Sequence, residues 1–163
     1  MPAAWDAWRA NPIAKQIIAL ITDFIVTEKV IPTAPGDMGK FIERFWNHEE
    51  NRMQTRMPEL MDELSRSGDI YLAMFRNPID GMSYVRPVPA NMIMGIDVDE
   101  NDWEKELVYY QRVSATEEPR KWLSPWHPDA AESDQVMVHY SFYRPVGALH
   151  GESELATLLN WLK

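Results

Sequence analysis

The sequence predicts an α+β fold, an antiparallel sheet flanked by N-terminal helices and closed by a C-terminal helix. Three observations carry that prediction. Apolar residues recur at helical spacing only near the two ends of the chain. Between Asp69 and Val113 the pattern changes to β-rich runs. The connections between those runs are turns, too short for the crossovers that parallel strands require. With 163 residues and 45% hydrophobic content the chain has apolar material for one core, so residues 1–163 read as a single α+β domain.

The first helix is expected over Asn11–Asp23. Asn11 followed by Pro12 is a helix start, and Ile13, Ile17, Leu20, Ile21 and Phe24 follow at helical spacing. A short strand is expected where Ile25, Val26, Thr27, Val30 and Ile31 run up to Pro32 and Pro35. The second helix spans Asp37–Arg66, carried by Met38, Phe41, Ile42, Phe45 and Trp46 and then by Met53, Met57, Leu60, Met61 and Leu64. Pro58 is expected to break it, because proline removes a helical N–H and clashes with the preceding turn. Strands are expected at Asp69–Phe75, Met82–Val88, Ile93–Val98 and Glu106–Val113, forming a four-stranded meander. Residues 114–134, with Pro119, Pro125 and Pro128, read as a long loop. One more strand follows at Val136–Tyr143, and Leu155, Leu158, Leu159 and Leu162 mark a closing helix over Glu152–Leu162. That apolar stripe is still running where the sequence stops, which implies either further sequence or a partner that covers it.

Composition narrows function. Sixteen Lys and Arg stand against 25 Asp and Glu, for a formal charge of -9, which opposes tight wrapping of a polyanion. The absence of cysteine removes disulfides and thiolate metal sites. The apolar stretch Ile13–Val26 is short for a bilayer and contains Lys15, Gln16 and Asp23, so no membrane association is expected.

No catalytic, cofactor or metal site is expected. Asp97, Asp99, Glu100, Asp102, Glu104 and Glu106 concentrate carboxylates, and Asp97-x-Asp99-x-Asn101 matches the first half of a calcium loop. Asp102 then stands where such a loop needs glycine and Val108 where it needs its bidentate Glu, so the cluster reads as a solvated turn. His48, His127, His139 and His150 lack the close spacing of a zinc motif. Gly151-Glu152-Ser153-Glu154-Leu155 lacks the second glycine of a nucleophile elbow. A metal-dependent hydrolase using the Asp97–Glu106 carboxylates with His127 or His139 is the enzymatic alternative. Candidate interface residues are Trp5 and Trp8, large aromatics near a chain end, and the leucines Leu155, Leu158, Leu159 and Leu162. A standalone protein-interaction module built on these is the second alternative.

Several strings, in this order, resemble tailed-bacteriophage portal proteins, the head-to-tail connectors. They are Asn11-Pro12-Ile13-Ala14-Lys15 with Ile21 to Val26, then Phe45-Trp46, Ser67-Gly68-Asp69 with Tyr71-Leu72, and Val85 to Ala90. The last passage, Val138-His139-Tyr140, Arg144 to Ala148, His150-Gly151-Glu152-Ser153-Glu154-Leu155 and Leu159 to Lys163, is similar to the family's "His-aromatic, Gly, Gly-x-Ser-x-Leu, apolar helix" passage. Thr27-Glu28-Lys29 stands where a glycine is often seen, and His150 where an arginine is more typical. The resemblance implies the N-terminal, wing-like part of a longer, non-enzymatic protein that self-associates into a ring at the capsid vertex. It implies terminase and capsid or head-completion proteins as partners, with double-stranded DNA passing through the ring without being tightly bound by this segment. Its implied location is the virion, after assembly in the host cytoplasm.

Overall fold

A computed structural model describes residues 2–27 and 30–162. The element order is α1 (Pro2–Ala10), α2 (Pro12–Ile25), α3 (Gly36–Asn47), α4 (Met53–Ser67), β1 (Asp69–Asn77), β2 (Met82–Val88), β3 (Ile93–Val98), β4 (Glu106–Gln111), β5 (Arg120–Leu123) and β6 (Gln135–Ser141). The expected α+β class with antiparallel pairing is what the chain adopts. Among the described residues no helix is long and apolar enough to cross a membrane.

Asn11 starts α2 as expected: its side-chain oxygen accepts from the Ile13 N–H at 2.8 Å, with Pro12 at the first helical position. The same side chain donates to the carbonyl of Leu162 at 2.9 Å, tying the chain's two ends together. The helix before it, α1, was not anticipated from periodicity. The expected strand after α2 does not form. Ile25 completes the helix, Val26 and Thr27 bend, Val30 and Ile31 are irregular, and residues 28–29 lie outside the described residues.

The long second helix is interrupted at His48–Arg52 rather than at Pro58, which sits inside α4. The cause is Asn51, whose side chain is fully buried. Its amide donates to the carbonyls of Phe45 and Ser83, both at 3.0 Å, and its oxygen accepts from the Val85 N–H at 3.1 Å. One side chain thus closes the turn and fastens it to β2, a set of bonds that a continuous helix would forfeit.

The expected four-stranded meander is instead two three-stranded antiparallel sheets, ordered β2-β1-β6 and β3-β4-β5. Strand β6 returns to pair with β1, Tyr71 opposite His139, so β2 becomes an edge and a 3₁₀ turn at Ala90–Met92 passes the chain to the second sheet. Residues 114–134 are not a plain loop: Trp122 is buried against Tyr71 and Tyr109, and this burial anchors β5. Strand β1 alternates as a doubly covered strand must. Tyr71, Ala73 and Phe75 face the second sheet, while Ile70, Leu72 and Met74 pack beneath Met53 and Leu60 of α4. The result is helices over one sheet over another.

The expected closing helix is also absent. From Ser153 onward the bonds run mostly from i to i+3, and only Ala156–Leu158 forms a 3₁₀ turn. Tertiary docking overrides the local period. The first backbone donors are committed elsewhere, Glu152 to Phe142 and Glu154 to Ser65, while Leu155 and Leu162 are both buried against Ala4, Ala14 and Ile18.

Candidate functional site: a buried histidine–carboxylate latch

The most concentrated chemistry in the molecule lies where β1, β4, β6 and the closing segment meet. Asp69 begins β1 and is fully buried. Its Oδ1 accepts from the Gly151 N–H at 2.7 Å and lies 3.1 Å from Nε2 of His139, while its Oδ2 lies 3.1 Å from Nδ1 of His150. The other nitrogen of His139, Nδ1, is 2.8 Å from Glu106 at the start of β4. Glu106 also accepts from the hydroxyl of Tyr109 at 2.8 Å and from Arg144 at 3.0 Å. Tyr71 stacks flat on the His139 ring, 4.3 Å between centroids.

Both ring nitrogens of His139 face carboxylates, an arrangement that favours the doubly protonated imidazolium. Burial alone would push its pKa down, but the bonds to Asp69 and Glu106 and their charges carry it above the ordinary value. Burial likewise pushes Asp69 up, and its bonds to His139, His150 and Gly151 more than offset this, leaving it below the usual carboxylate range. Glu106 is held low in the same way, by His139, Tyr109 and Arg144 against its own burial. Burial and the neighbouring carboxylates push the hydroxyls of Tyr71 and Tyr109 far up, so both remain neutral.

Close backbone contact completes the latch. Gly68 ends α4 at φ 84, and a Cβ there would stand 2.5 Å from the carbonyl carbon of Gly151. A Cβ on Gly151 would stand 2.1 Å from the Gly68 oxygen and 2.3 Å from that of Phe142. These glycines let the two segments touch, and Phe142 N–H to Gly68 O at 2.7 Å fixes the contact. The arrangement joins both sheets to the end of α4. Both ring nitrogens of His139 are taken up by carboxylates, and that side chain is only 1% exposed.

The other sequence-predicted residues are dispersed. Most carboxylates between Asp97 and Glu104 lie at the exposed β3–β4 turn, where Asp99 accepts from the Asn101 N–H and Asp102 from that of Glu104. Glu106 corrects the expectation of a wholly solvated cluster: it points inward, because β-strand alternation places it on the His139 side. His127 caps a 3₁₀ turn by accepting from the Asp129 N–H. Among the described residues no three His, Cys, Asp or Glu are placed to hold a metal ion.

Of the expected interface residues, Leu155 and Leu162 are buried, Trp5, Trp8 and Leu159 half-buried and Leu158 exposed. Trp5 and Trp8 meet edge to face, and the Arg66 guanidinium lies 4.9 Å and 4.2 Å from their respective ring centroids, so the pair fastens α1 to α4. Leu155 and Leu162 belong to the core and Leu159 packs on it, while Leu158 alone among the four leucines is exposed. Sequence reading missed Asn51, and it held Asp69 only as part of the resembling string Ser67-Gly68-Asp69, without a role.

No protein-family profile matches the chain, and no curated protein does so either. Solved structures do match in fold. A chain in the virion of a native gene transfer agent (GTA) particle superposes with a TM-score of 0.66 at 16% identity, over 98% of this chain and 41% of that one. A chain in the neck of an empty GTA particle superposes with a TM-score of 0.67 at 14% identity, over 98% of this chain and 42% of that one. The chain therefore spans about two fifths of the length of the solved chains it matches.

Proposed function

We propose that this chain is a non-enzymatic structural part of a phage-like particle, the wing-like portion of a portal ring at the capsid vertex, built as one domain of a longer protein. The observation that carries the reading is the fold likeness to GTA virion and neck chains over 98% of the chain. The portal strings support the finer step, since His139, Gly151, Ser153 and Leu155 of the resembling passage all belong to the latch or to the core beside it. In this reading the latch holds the closing segment rigidly against both sheets, which a subunit under mechanical load requires. Terminase and capsid or head-completion proteins would be its partners, and double-stranded DNA would pass through the ring without tight contact, consistent with the charge of -9.

The hydrolase alternative has less support, because Asp99 and Asp102 accept from their own turn and Glu106 faces His139 and Arg144. The test is composition. Tailed particles purified from the source, analysed by mass spectrometry and by gold-labelled antibody against this chain, should contain it at the head–tail junction. Particles that lack it would overturn the reading.

A further inference from the structure

Three arginines gather at the start of α4, in a chain whose formal charge is -9. Arg56, near the beginning of that helix, is only 6% exposed, and its guanidinium donates to the carbonyl oxygen of Val85. Arg86, on β2, donates to the same oxygen at 2.8 Å, so two guanidinium groups converge on one acceptor. Arg52 stands at the N-cap of α4, one turn before Arg56, where like charges repel along a helix. Burial, then the charges of Arg86 and Arg52, hold Arg56 below the usual arginine range, and Glu59 acts the other way.

A counter-charge is missing from this place. The N-terminus of a helix carries partial positive charge and N–H groups without intrahelical partners, so it favours an acid or a side-chain acceptor. Helix α4 has no acidic residue in its first turn and no side-chain cap, because its N-cap is an arginine, which has no acceptor to offer. Other sheltered arginines have their carboxylates: Arg66 pairs with Glu63, and Arg144 with Glu106. Arg56 has a carbonyl instead, although a buried cation ordinarily needs a paired charge. The acid that reaches the cluster is Glu50, more than half exposed, which accepts from Arg86 at 2.9 Å. Three arginines against one glutamate leave a surplus that suits a doubly charged oxyanion better than a single carboxylate. The planar fork of N–H donors on each guanidinium fits a phosphate through two bonds at once.

We propose that Arg52, Arg56 and Arg86, with the amides that open α4, form a binding site for a phosphate-class oxyanion. Arg52 and Arg86 are open to solvent and would admit the anion, while Arg56, fixed on Val85, supplies a charge already in place before the anion arrives. The inference does not rest on the reading of the chain as a particle subunit, and the particle-composition test leaves it untouched.

Isothermal titration calorimetry of the 163-residue chain with inorganic phosphate, at an ionic strength held constant with sodium chloride, tests it. Phosphate should bind saturably with a Kd of about 1 mM or below. It should also raise the urea unfolding midpoint, which sodium chloride of equal ionic strength should not do. Arg52→Gln and Arg86→Gln remove the solvent-reachable charges and should each weaken binding by about tenfold, with circular dichroism confirming the fold. Arg120→Gln, on the other sheet, should bind as the unaltered chain does. A short single-stranded oligonucleotide separates two sources of the same chemistry. Competition with inorganic phosphate, lost in the same two variants, assigns the site to a nucleic-acid backbone, whereas failure to compete assigns it to a free phosphate, and either result upholds the site. Absence of saturable binding up to about 10 mM phosphate, undiminished binding in both variants, or an equal midpoint shift with chloride would each overturn the proposal.

Discussion

The latch and the outer face of α2 place their side chains under opposite rules. At the latch, Asp69, His139, Glu106 and Arg144 are charged, mostly buried and paired atom for atom. On α2, Ile13, Leu20 and Phe24 are apolar, exposed and unpaired. Each is the costly arrangement for its location: a buried charge needs its partner, and an exposed apolar stripe needs a cover. The difference separates two roles. The latch is satisfied within the chain and maintains its shape, while the stripe is left uncovered by the described residues.

The largest effect should come from removing one latch partner. Asp69→Ala leaves Nε2 of His139 and the Gly151 N–H without their acceptor inside the core, with Glu106 still on the other ring nitrogen. Breaking a buried pair in this way costs about 3–5 kcal/mol, a large part of the stability of a small domain. Urea unfolding followed by circular dichroism should show a much lower midpoint or no folded baseline. A loss below about 1 kcal/mol would mean that the network is dispensable.

Gly151→Ala should come next, at about 2–3 kcal/mol, because the new Cβ meets two backbone carbonyl oxygens that cannot swing away as a side chain could. The same substitution at Gly81, where nothing lies within 4 Å, carries no such clash and only its left-handed φ of 66 as a penalty. The two unfolding midpoints, compared directly, isolate close approach from backbone conformation.

The latch also gives stability a pH window. Asp69 and Glu106 sit below their ordinary values, so their contribution is complete above about pH 4.5 and is lost as pH falls through their folded values. His139 sits above its ordinary value, so its contribution is complete below about pH 6.5 and is lost as pH rises through its folded value. Stability should therefore peak between these limits. His139→Gln should flatten the alkaline limb of urea midpoint against pH, and an unchanged limb would assign that slope to another group.

What was legible in the sequence follows the range of the interaction. The stripe Phe41, Phe45, Trp46 and the hairpin joined by Asn77–Gly81 are local, and both are present in the fold. The return of β6 to β1 and the meeting of Asp69 with His139 join positions 70 residues apart, which no local period encodes. Leu155, Leu158, Leu159 and Leu162 keep helical spacing, yet docking on α1 and α2 drew the segment into turns. Trp5 and Trp8 were recognisable as anchors, and within the chain the side chain they hold is Arg66. The latch was half visible: the resembling strings contain Gly68, Asp69, His139 and Gly151, and only the fold shows that they touch.

The smallest effect should be the stability change in Phe24→Glu, and it completes the comparison. Phe24 is 80% exposed, so replacing it removes little buried area and leaves the new carboxylate in water. Surface changes of this kind stay within about 0.5 kcal/mol. A charge deleted at Asp69 should therefore unfold the chain, while a charge added at Phe24 leaves its unfolding midpoint in place. If Phe24→Glu instead lowered the midpoint by more than about 1 kcal/mol at a concentration where the chain is monomeric, the stripe would be supporting the fold from within. The contrast between a self-satisfied latch and an open apolar face would then fail at the residue on which it is sharpest.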